Sequence, residues 1–400
     1  MPDRGRKQSI AISCIIDLKA SQGCRYPLSK ISMQDVSLRT VILTSILGPR
    51  RPTHVGNLIP NRGVLMRHLV LLALCVAIAP AQAEKPKPTK SHAPRLGIKI
   101  PGIQIPIESL KPELVFEMEA PAWLGFTDAV LLPNAGAHSV ARIDPKAKEA
   151  KFGDPLAAGI QKPCAGLVNA FNSLWTGDCA EGALVRIDPK TGKVTAKVAS
   201  GIGPATMALA ATADSIWLLS DNRGTLSRID PLQNAVVAEL RVPADCTALT
   251  FGETALWLAC PNDNRVLRID PLTNLVDKSI DVSARPEAMA IGETSVWVLC
   301  AKDGKLDRID PKTNKVTKTI ELGAPAAGGS IAIGENFVWV SMPGFPLTRI
   351  DPATDKVVQQ FYGEGGGLLR VGLNFVWLAD REAGQLWKLD PRRIAATLAE

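Results

Sequence analysis

The four-residue motif R-I-D-P recurs along the chain at a nearly constant spacing and constrains its fold more than any other feature. Six copies are intact, and a seventh, degenerate copy reads Lys388-Leu389-Asp390-Pro391. The aspartates of the seven copies are Asp144, Asp188, Asp230, Asp270, Asp310, Asp351 and Asp390. Successive positions in this series differ by 39 to 44 residues. A fixed period near forty residues indicates a repeat architecture, in which one supersecondary unit is copied along the chain.

A tryptophan accompanies the motif in phase, about eleven residues ahead of it. The six tryptophans of this series are Trp175, Trp217, Trp257, Trp297, Trp339 and Trp377. In the first repeat, Val130 lies near the equivalent place. Because an indole side chain covers a large apolar area, we expect each tryptophan to pack between neighbouring repeats rather than to bind a ligand.

One repeat contains the pattern of four short strands. In residues 286–322, segments rich in apolar and β-branched residues occupy 286–291, 295–300, 305–309 and 315–322, and short polar turns separate them. Four antiparallel strands in forty residues make one propeller blade. The sequence therefore predicts an all-β protein, a seven-bladed β-propeller of four-stranded antiparallel blades.

The aspartate and proline of the motif suit the turn between the third and fourth strands. An aspartate before proline accepts backbone hydrogen bonds, and proline presets the φ angle of the turn. Four residues after five of the aspartates lies a residue type that tolerates the left-handed conformation: Gly192, Asn234, Asn274, Asn314 or Asp355. These features favour a structural role for the motif over a catalytic one.

The N-terminal part of the chain reads as segments that precede the propeller. Residues 1–65 carry no repeat, and we interpret them as a non-native, disordered upstream extension. Residues 66–83 combine a basic start, an apolar run over 69–79 and the small-residue pattern Ala81-Gln82-Ala83, which is typical of a signal peptide. The apolar run is too short to span a membrane. A linker rich in Lys and Pro covers 84–112, and the propeller covers 113–400. We expect a periplasmic or secreted protein with no membrane span after signal cleavage.

The basic charge of the chain belongs to the segment that we expect to be removed. The whole chain has 46 Lys and Arg against 39 Asp and Glu, a net charge of +7. Residues 1–83 contain 11 of these cations and 3 of the anions, so 35 cations and 36 anions remain in the rest. A near-neutral chain does not attract a phosphate backbone, and strong nucleic-acid binding is not expected.

Two segments compete to close the propeller. Residues 98–107 alternate in polarity but contain prolines, so we expect an extended segment packed along a sheet edge. The outermost strand of the last blade is either 114–118 or 394–398, and the sequence leaves both open.

Five cysteines follow the signal peptide. Cys164 and Cys246 each begin the first strand of a blade, and Cys179 and Cys260 each end the second strand of the same blade. Since these ends of an antiparallel hairpin face each other, we predict the disulfides Cys164–Cys179 and Cys246–Cys260. The position facing Cys300 is Pro286, so we expect Cys300 to be a free, buried thiol.

The loops of a propeller alternate between two faces. The turns joining first to second strands and third to fourth strands are short and nearly uniform, and we call their side the uniform face. The loops joining second to third strands and the blade-to-blade connections vary, and we call their side the variable face. Variation on one face of a repeat array marks its binding surface. The candidate binding residues are Asp178, Glu181, Asp221, Arg223, Asn262, Asp263, Asn264, Arg285, Lys302, Asp303, Glu364, Arg370, Asp380 and Arg381.

The repeat V-W-V-x(n)-L-x-R-I-D-P-x-T-N-K-V resembles that of the YncE-type (YVTN-repeat) propellers and the streptogramin B (virginiamycin B) lyases. The resemblance covers about 113–400 and implies a seven-bladed propeller. The lyases use Mg²⁺ with histidine and glutamate near the channel, but this chain has no histidine after His138. No catalytic residue is therefore carried over. Some YncE-type proteins associate with single-stranded DNA, which the near-neutral charge here does not favour.

Two functions follow from these observations. The first is an exported, monomeric binding or interaction module for a small molecule or a protein, with no cofactor and no metal site predicted. The second is a propeller enzyme of the lyase or lactonase type, in which loop carboxylates such as Asp178, Asp221 and Asp303 hold Mg²⁺ or Ca²⁺.

Overall fold

The computed structural model describes residues 96–398, except residue 120, residue 158, residues 204–207, residue 222 and residue 245. The predicted upstream extension, the predicted signal peptide and the first part of the predicted linker lie outside the described residues. Nearly all regular structure is β-strand. Within the described residues, no helix has the length and apolarity that a membrane crossing requires.

The strands are numbered in chain order. Those before the second blade are β1 (Gln104–Pro106), β2 (Leu114–Glu117), β3 (Gly125–Phe126), β4 (Val130–Asn134) and β5 (Ser139–Ile143). Blades two to four contain β6 (Pro163–Ala170), β7 (Ser173–Asp178), β8 (Ala183–Ile187), β9 (Val194–Ala199), β10 (Ala208–Ala211), β11 (Ile216–Asp221), β12 (Thr225–Asp230), β13 (Ala235–Arg241), β14 (Ala248–Gly252), β15 (Ala255–Cys260), β16 (Arg265–Asp270) and β17 (Leu275–Asp281). Blades five to seven contain β18 (Pro286–Gly292), β19 (Ser295–Cys300), β20 (Lys305–Asp310), β21 (Lys315–Glu321), β22 (Ser330–Gly334), β23 (Phe337–Met342), β24 (Phe345–Asp351), β25 (Lys356–Tyr362), β26 (Leu369–Gly372), β27 (Phe375–Asp380) and β28 (Gln385–Leu389), and a short helix, α1 (Pro391–Ala396), follows.

The described strands form seven sheets arranged as the blades of a propeller. Five sheets have four strands each, as in the order β6-β7-β8-β9. Blade one has the three strands β3, β4 and β5, with one further bridge from Val140 to Leu156. The first strands of successive blades, which we call the inner strands (β3, β6, β10, β14, β18, β22 and β26), contact one another in sequence. The inner strands therefore surround a central channel, and the seven-bladed propeller predicted from the repeat is confirmed.

Segment 114–117 closes the propeller, which decides between the two segments that the sequence left open. Strand β2 pairs antiparallel with β28, with Leu114 opposite Lys388 and Glu117 opposite Gln385. Most of the competing segment folds into helix α1, since the Asp390 side chain accepts a hydrogen bond from the backbone of Arg392 and caps its first turn. The outer strand of the last blade thus comes from the N-terminal side of the propeller.

The six tryptophans are buried between blades, as predicted. Each is at most 1% exposed. Trp339 packs in a cluster with Leu369, Val376 and Leu378 of the next blade. In blade one, the sequence placed the equivalent position near Val130. Leu131 lies opposite Arg142, as Trp175 lies opposite Arg186 in blade two, so Leu131 occupies the tryptophan position.

The motif arginine clamps neighbouring blades together. The Arg308 guanidinium lies over the Trp297 ring at 4.8 Å from its centroid. Its Nε donates to the hydroxyl of Ser295 at 2.9 Å. Its Nη1 donates to the Pro352 carbonyl and to the Asp355 carboxylate in the next blade, both at 2.8 Å. The arginine thereby joins the first turn of its own blade to the last turn of the next one.

The same clamp occurs elsewhere in the ring. Arg186 donates to Oδ1 of Asn234 at 3.1 Å, and Arg228 donates to Oδ1 of Asn274 at 3.0 Å. These contacts are geometrically specific because the guanidinium is planar and has fixed donor directions. They show that three of the motif arginines, Arg186, Arg228 and Arg308, link neighbouring blades.

The motif aspartate caps its turn, as predicted. Asp310 accepts a hydrogen bond from the backbone N–H of Lys312 at 2.8 Å. This bond, with those from Thr313, holds the pKa of Asp310 below its ordinary value. The fourth residue after the aspartate adopts the left-handed conformation, with φ between 52° and 66° at Gly192, Asn234, Asn274, Asn314 and Asp355.

The cysteines pair as the sequence predicts. Cys164 is bonded to Cys179 with a Cα–Cα distance of 6.0 Å, and Cys246 is bonded to Cys260 with a Cα–Cα distance of 4.0 Å. Cys300 is a buried free thiol, and Pro286 lies opposite it. Both disulfides lie at the variable-face ends of their hairpins.

The segment before the propeller forms a strap along blade six. Strand β1 pairs in parallel with the outer strand β25. The buried side chain of Gln360 accepts a hydrogen bond from the N–H of Ile98 at 2.8 Å and donates to the Leu322 carbonyl at 3.0 Å. The prediction of an extended segment along a sheet edge is therefore confirmed.

Candidate functional site

Several carboxylates of the variable face are engaged by backbone amides. Asp178 is fully buried. It accepts hydrogen bonds from the N–H groups of Gln161 at 2.9 Å and Lys162 at 3.0 Å, which fixes the connection from blade one. Asp221 accepts from the N–H groups of Arg223 and Thr225, both at 3.0 Å. Both carboxylates stabilise loop conformation.

Polar side chains of blades four and five hold the connection between those two blades in a similar way. Asp303 accepts a hydrogen bond from the N–H of Ala284 at 2.8 Å, and Asn264 accepts one from the N–H of Arg285 at 2.9 Å. Asp380 accepts hydrogen bonds from two backbone amides of its own loop, both at 3.0 Å. Together these polar side chains set the shape of the variable face.

The other candidates lie at the rim. Glu181 forms an ion pair with Lys197 at 2.5 Å. The following side chains are exposed: Arg223, Asn262, Asp263, Lys302, Glu364 and Arg381. Over the ranges that the structure describes, no three His, Cys, Asp or Glu side chains are grouped closely enough to hold a metal ion. Arg370 alone among the predicted residues lies on an inner strand.

The inner strands contain few polar groups. As the structure describes them, the seven strands include two residues that carry a charge at neutral pH, Glu287 and Arg370. Sheet register identifies the residues equivalent to Arg370, because each lies opposite the tryptophan position of its blade. They are Gly125, Val168, Ala210, Thr250, Ala290 and Ala332. Arg370 is thus the one long, charged side chain at a level where the other six blades have small or apolar residues.

The Arg370 side chain folds over the channel-facing edge of its own strand. The Leu368 carbonyl accepts a hydrogen bond from the N–H of Ala379 in β27. Successive peptide groups of a strand point to opposite sides, so the carbonyl of Leu369 points toward the channel. Nη1 of Arg370 donates to that carbonyl at 2.9 Å. The same Nη1 lies 3.5 Å from the hydroxyl of Ser330 in blade six.

Ser330 joins the inner strands of blades six and seven at the same place. Its hydroxyl accepts a hydrogen bond from the N–H of Leu369 at 3.0 Å and donates to the carbonyl of Leu369 at 3.3 Å. Ser330 is buried. The hydroxyl therefore anchors the peptide group that in turn positions the Arg370 guanidinium.

The Arg370 guanidinium has donors that the described residues leave unused. Nε and Nη2 form no hydrogen bond with any described residue. Unlike Nε of Arg268 and Nε of Arg349, neither atom is fully buried. The Arg370 side chain is partly buried. The surrounding protein nevertheless desolvates the guanidinium enough to lower its pKa. An arginine in such surroundings remains protonated at neutral pH. Its charge has no ion-pair partner among the described carboxylates.

Glu287 is the residue that sequence reasoning missed. It lies in a β-bulge between Pro286 and Ala288, where the register with β19 shifts, and such bulges re-aim side chains. Its carboxylate pairs with Arg285, and the side chain is 14% exposed. A Cβ atom placed on Gly328 would lie 3.8 Å from its Oε2, which locates the carboxylate beside the connection to blade six. The signal was an acidic residue within the otherwise apolar first strand of blade five.

We call the group Arg285, Glu287, Ser330 and Arg370 the channel mouth. These residues lie on or directly before the inner strands of blades five, six and seven. By sheet register Arg370 is level with Ala290 and Ala332, so it lies deeper along the channel than Glu287 and Ser330. Two shallow depressions occur elsewhere among the described residues, one beside helix α1 and one beside the Arg186 clamp. Their lining residues already serve the closure of the ring and the contact between blades, so the channel mouth is the better candidate site.

Comparison with known proteins supports the fold. No protein-family model matches the sequence, and no curated protein matches it. A streptogramin B lyase structure is similar with a TM-score of 0.57 and 17% identity, over 69% of this chain and 97% of the lyase. Virginiamycin B lyase from Staphylococcus aureus is similar with a TM-score of 0.56 and 17% identity, over 69% of this chain and 98% of that enzyme. The computationally designed protein Ika8 is similar with a TM-score of 0.54 and 16% identity, over 70% of this chain and 100% of the designed chain.

These identities are low enough that the similarity establishes architecture and not activity. The lyase part of the resemblance drawn from the repeat is confirmed at the level of fold, and the YncE-type part stays a prediction. The chain therefore has the seven-bladed β-propeller fold that is also found in the streptogramin B lyases.

Proposed function

We propose that this protein is an exported binding module that takes a small molecule at the channel mouth. The observation that carries the proposal is the Arg370 guanidinium, whose Nε and Nη2 face no partner among the described residues although its surroundings are desolvated. An uncompensated charge in such a place costs free energy. A ligand that pairs with it offsets this cost, and a few polar groups that fix orientation are typical of small-molecule sites.

Export is supported by two features of the chain. Residues 66–83 have the pattern of a signal peptide. The bonds Cys164–Cys179 and Cys246–Cys260 are of the kind that persists in oxidising compartments. The periplasm or the extracellular space is the compartment that we propose.

A small molecule fits the site better than a protein does. Arg370 lies on an inner strand, where a small molecule can enter along the channel axis. A protein partner would instead contact rim residues such as Arg223, Lys302 and Arg381, which are exposed and scattered around the variable face. We therefore place the ligand in the channel mouth and expect the protein to act as a monomer.

A propeller enzyme of the lyase or lactonase type is the second candidate, and the fold shared with streptogramin B lyases is what favours it. Three of the carboxylates that could hold Mg²⁺ or Ca²⁺ are engaged by the protein itself. Asp178, Asp221 and Asp303 already accept backbone hydrogen bonds. Hard cations require several converging oxygen ligands, and the described residues contain no cluster of three His, Cys, Asp or Glu side chains.

The location of binding can be tested by hydrogen–deuterium exchange with the full chain. Binders from a library of small molecules are first identified by saturation-transfer NMR. We expect them to slow exchange in peptides that cover 284–288 and 363–370, and to leave the uniform-face turns at 311–314 and 352–355 unchanged. Protection confined to the uniform face, or a library without any binder, would contradict the proposal.

The enzyme candidate has its own test. Thermal unfolding of the full chain is followed with EDTA and then with added Mg²⁺ or Ca²⁺. A ligand at about one hundred times its dissociation constant stabilises the folded state by roughly 2.7 kcal/mol. A clear upward shift of the midpoint with either metal would favour the second candidate and justify assays on cyclic lactones and depsipeptides.

A further inference from the structure

The repeat itself provides a control for the role of Arg370. Six other blades place glycine, valine, alanine or threonine at the same register position and still complete their contacts. The blade architecture therefore does not require an arginine there. Arg370 also differs from the clamp arginines, because Arg186, Arg228 and Arg308 each reach the turn of a neighbouring blade. Its position suggests a role outside the folding of the repeat.

The orientation of the guanidinium is fixed by one of its nitrogens. Nη1 is held by the Leu369 carbonyl at 2.9 Å, and that carbonyl is itself bonded to the Ser330 hydroxyl. The opposite edge, formed by Nε and Nη2, has no partner among the described residues. Two parallel N–H groups on one edge match the two oxygens of a carboxylate in the bidentate geometry that arginine prefers. The guanidinium therefore presents two parallel N–H donors in a fixed orientation.

The single guanidinium of Arg370 favours a ligand with one negative charge at this point. Arg285 is already paired with Glu287, so its charge is compensated within the protein. Arg370 then provides the one guanidinium of the channel mouth that lacks an acidic partner. A monocarboxylate balances this single charge, whereas a phosphate dianion would leave a desolvated negative charge unpaired.

We infer that the ligand of the channel mouth carries a carboxylate monoanion, which binds the Nε–Nη2 edge of Arg370. This inference rests on the proposed function and adds the chemical class of the ligand. Acetate and 4-fluorobenzoate are suitable probes because both are small monocarboxylates. The neutral 4-fluorobenzamide matches 4-fluorobenzoate in shape and differs in charge.

Titrations of the full chain monitored by ¹⁹F NMR test the inference directly. We expect 4-fluorobenzoate to bind and 4-fluorobenzamide to bind at least about tenfold more weakly, since the amide loses the charge-assisted fork. Arg370→Ala should weaken 4-fluorobenzoate by a similar factor, and Arg370→Lys should recover only part of the loss because an ammonium cannot form the fork. Arg265→Ala is the matched control, since Arg265 is an exposed arginine at the variable-face end of blade four that already pairs with Asp281, and its loss should leave affinity unchanged. Acetate should compete with 4-fluorobenzoate.

Each contrary result has a distinct meaning. Equal binding of the benzoate and the benzamide, or full affinity in Arg370→Ala, would overturn the carboxylate assignment while leaving binding at the channel mouth intact. Inorganic phosphate that displaces 4-fluorobenzoate more strongly than acetate does would overturn the monoanion assignment. Failure of both carboxylates to bind the wild-type chain at millimolar concentrations would also overturn it. The comparison of benzoate with benzamide needs no variant and holds even if Arg370→Ala does not fold.

Discussion

The guanidinium of Arg308 in blade five lies 2.8 Å from the carboxylate of Asp355 in blade six. Both side chains are less than one quarter exposed, at 21% and 23%, so water screens the pair only in part. The arginine also bonds Ser295 and the Pro352 carbonyl and covers Trp297. We expect Arg308→Ala to lower the free energy of unfolding by about 2 kcal/mol, because several hydrogen bonds to a charged group are lost together. Urea denaturation measures the change.

The partner position allows a finer test of the same clamp. Blades three and four have Asn234 and Asn274 where blade six has Asp355, and both asparagines accept a bond from a motif arginine. Asp355→Asn should therefore cost less than about 1 kcal/mol, since the acceptor and the left-handed conformation are both retained. Asp355→Ala should cost more, because alanine tolerates φ of 54° poorly. Equal losses for Asn and Ala would show that the hydrogen bond to Arg308 contributes nothing.

The turn aspartates predict a loss of stability in acid. Backbone hydrogen bonds hold the pKa values of Asp188, Asp230, Asp310 and Asp351 below the ordinary value of 3.8. A carboxylate whose pKa is lower in the folded state stabilises that state above the unfolded pKa, and this contribution disappears as pH falls through the folded pKa. We expect the thermal midpoint to be level near neutrality and to fall below about pH 4. Asp310→Asn should lower the midpoint at pH 7 and flatten the acid slope. An acid slope identical to that of the wild type would contradict the assignment.

The fold could be predicted from the sequence because each structural feature of a blade recurs in several repeats. Seven copies of the motif specified the blade, the turn and the face to which each turn belongs. Features that occur only once in the chain were harder to predict. The closing strand occurs once, and its competitor 394–398 is also apolar, so only pairing with β28 decided for 114–117. In blade one the sequence placed the equivalent position only near Val130, because no tryptophan marks the register there, and pairing with Arg142 identifies it as Leu131.

The candidate site could be predicted only in part, for a physical reason. Loop composition pointed to the variable face but could not tell a free carboxylate from one that caps backbone amides, such as Asp178. Whether a charge has a partner depends on contacts between distant residues. Arg370 lies 40 residues from Ser330 in sequence and meets it across two blades. Glu287 was missed because its bulge changes the direction of the side chain in a way that the strand pattern does not show.

The disulfides predict a redox-dependent stability. Cys246 and Cys260 are separated by 14 residues, and Cys164 and Cys179 by 15. A cross-link closing a loop of about 15 residues stabilises the folded state by roughly 3 kcal/mol in the chain-entropy description. Cys246→Ala with Cys260→Ala should lower the free energy of unfolding by about 2 to 3 kcal/mol in urea denaturation without reductant. The double variant and the wild type should differ much less after complete reduction, and a difference that persists would assign the loss to packing instead.

The thiol of Cys300 is predicted to be unreactive in the folded protein. The side chain is 0% exposed and donates weakly to the Asp307 carboxylate at 3.7 Å. Burial first, and the nearby Asp307 charge second, raise the pKa of Cys300 above its ordinary value, and the neutral thiol is a poor nucleophile. Iodoacetamide at pH 8 should therefore leave Cys300 unmodified until denaturant is added, as judged by mass spectrometry of the peptide. Rapid modification under native conditions would place the thiol at the surface.

Closure of the ring by β2 predicts that one buried aromatic residue stabilises the junction of the first and last blades. Phe116 is 1% exposed and packs with Trp377 of blade seven and with Val130 and Leu132 of blade one. Replacing a buried phenylalanine by alanine typically costs about 3 to 5 kcal/mol, because transfer free energy and packing are both lost. Since the first and last blades meet at this cluster, we expect Phe116→Ala to lower the free energy of unfolding by that amount and to speed exchange in peptides of β27 and β28 more than in those of β15 and β16. Phe152→Ala is the matched control, because Phe152 also contacts Phe116 but is 45% exposed. Uniform exchange changes in all blades would show that Phe116 stabilises the ring without acting locally at the closure.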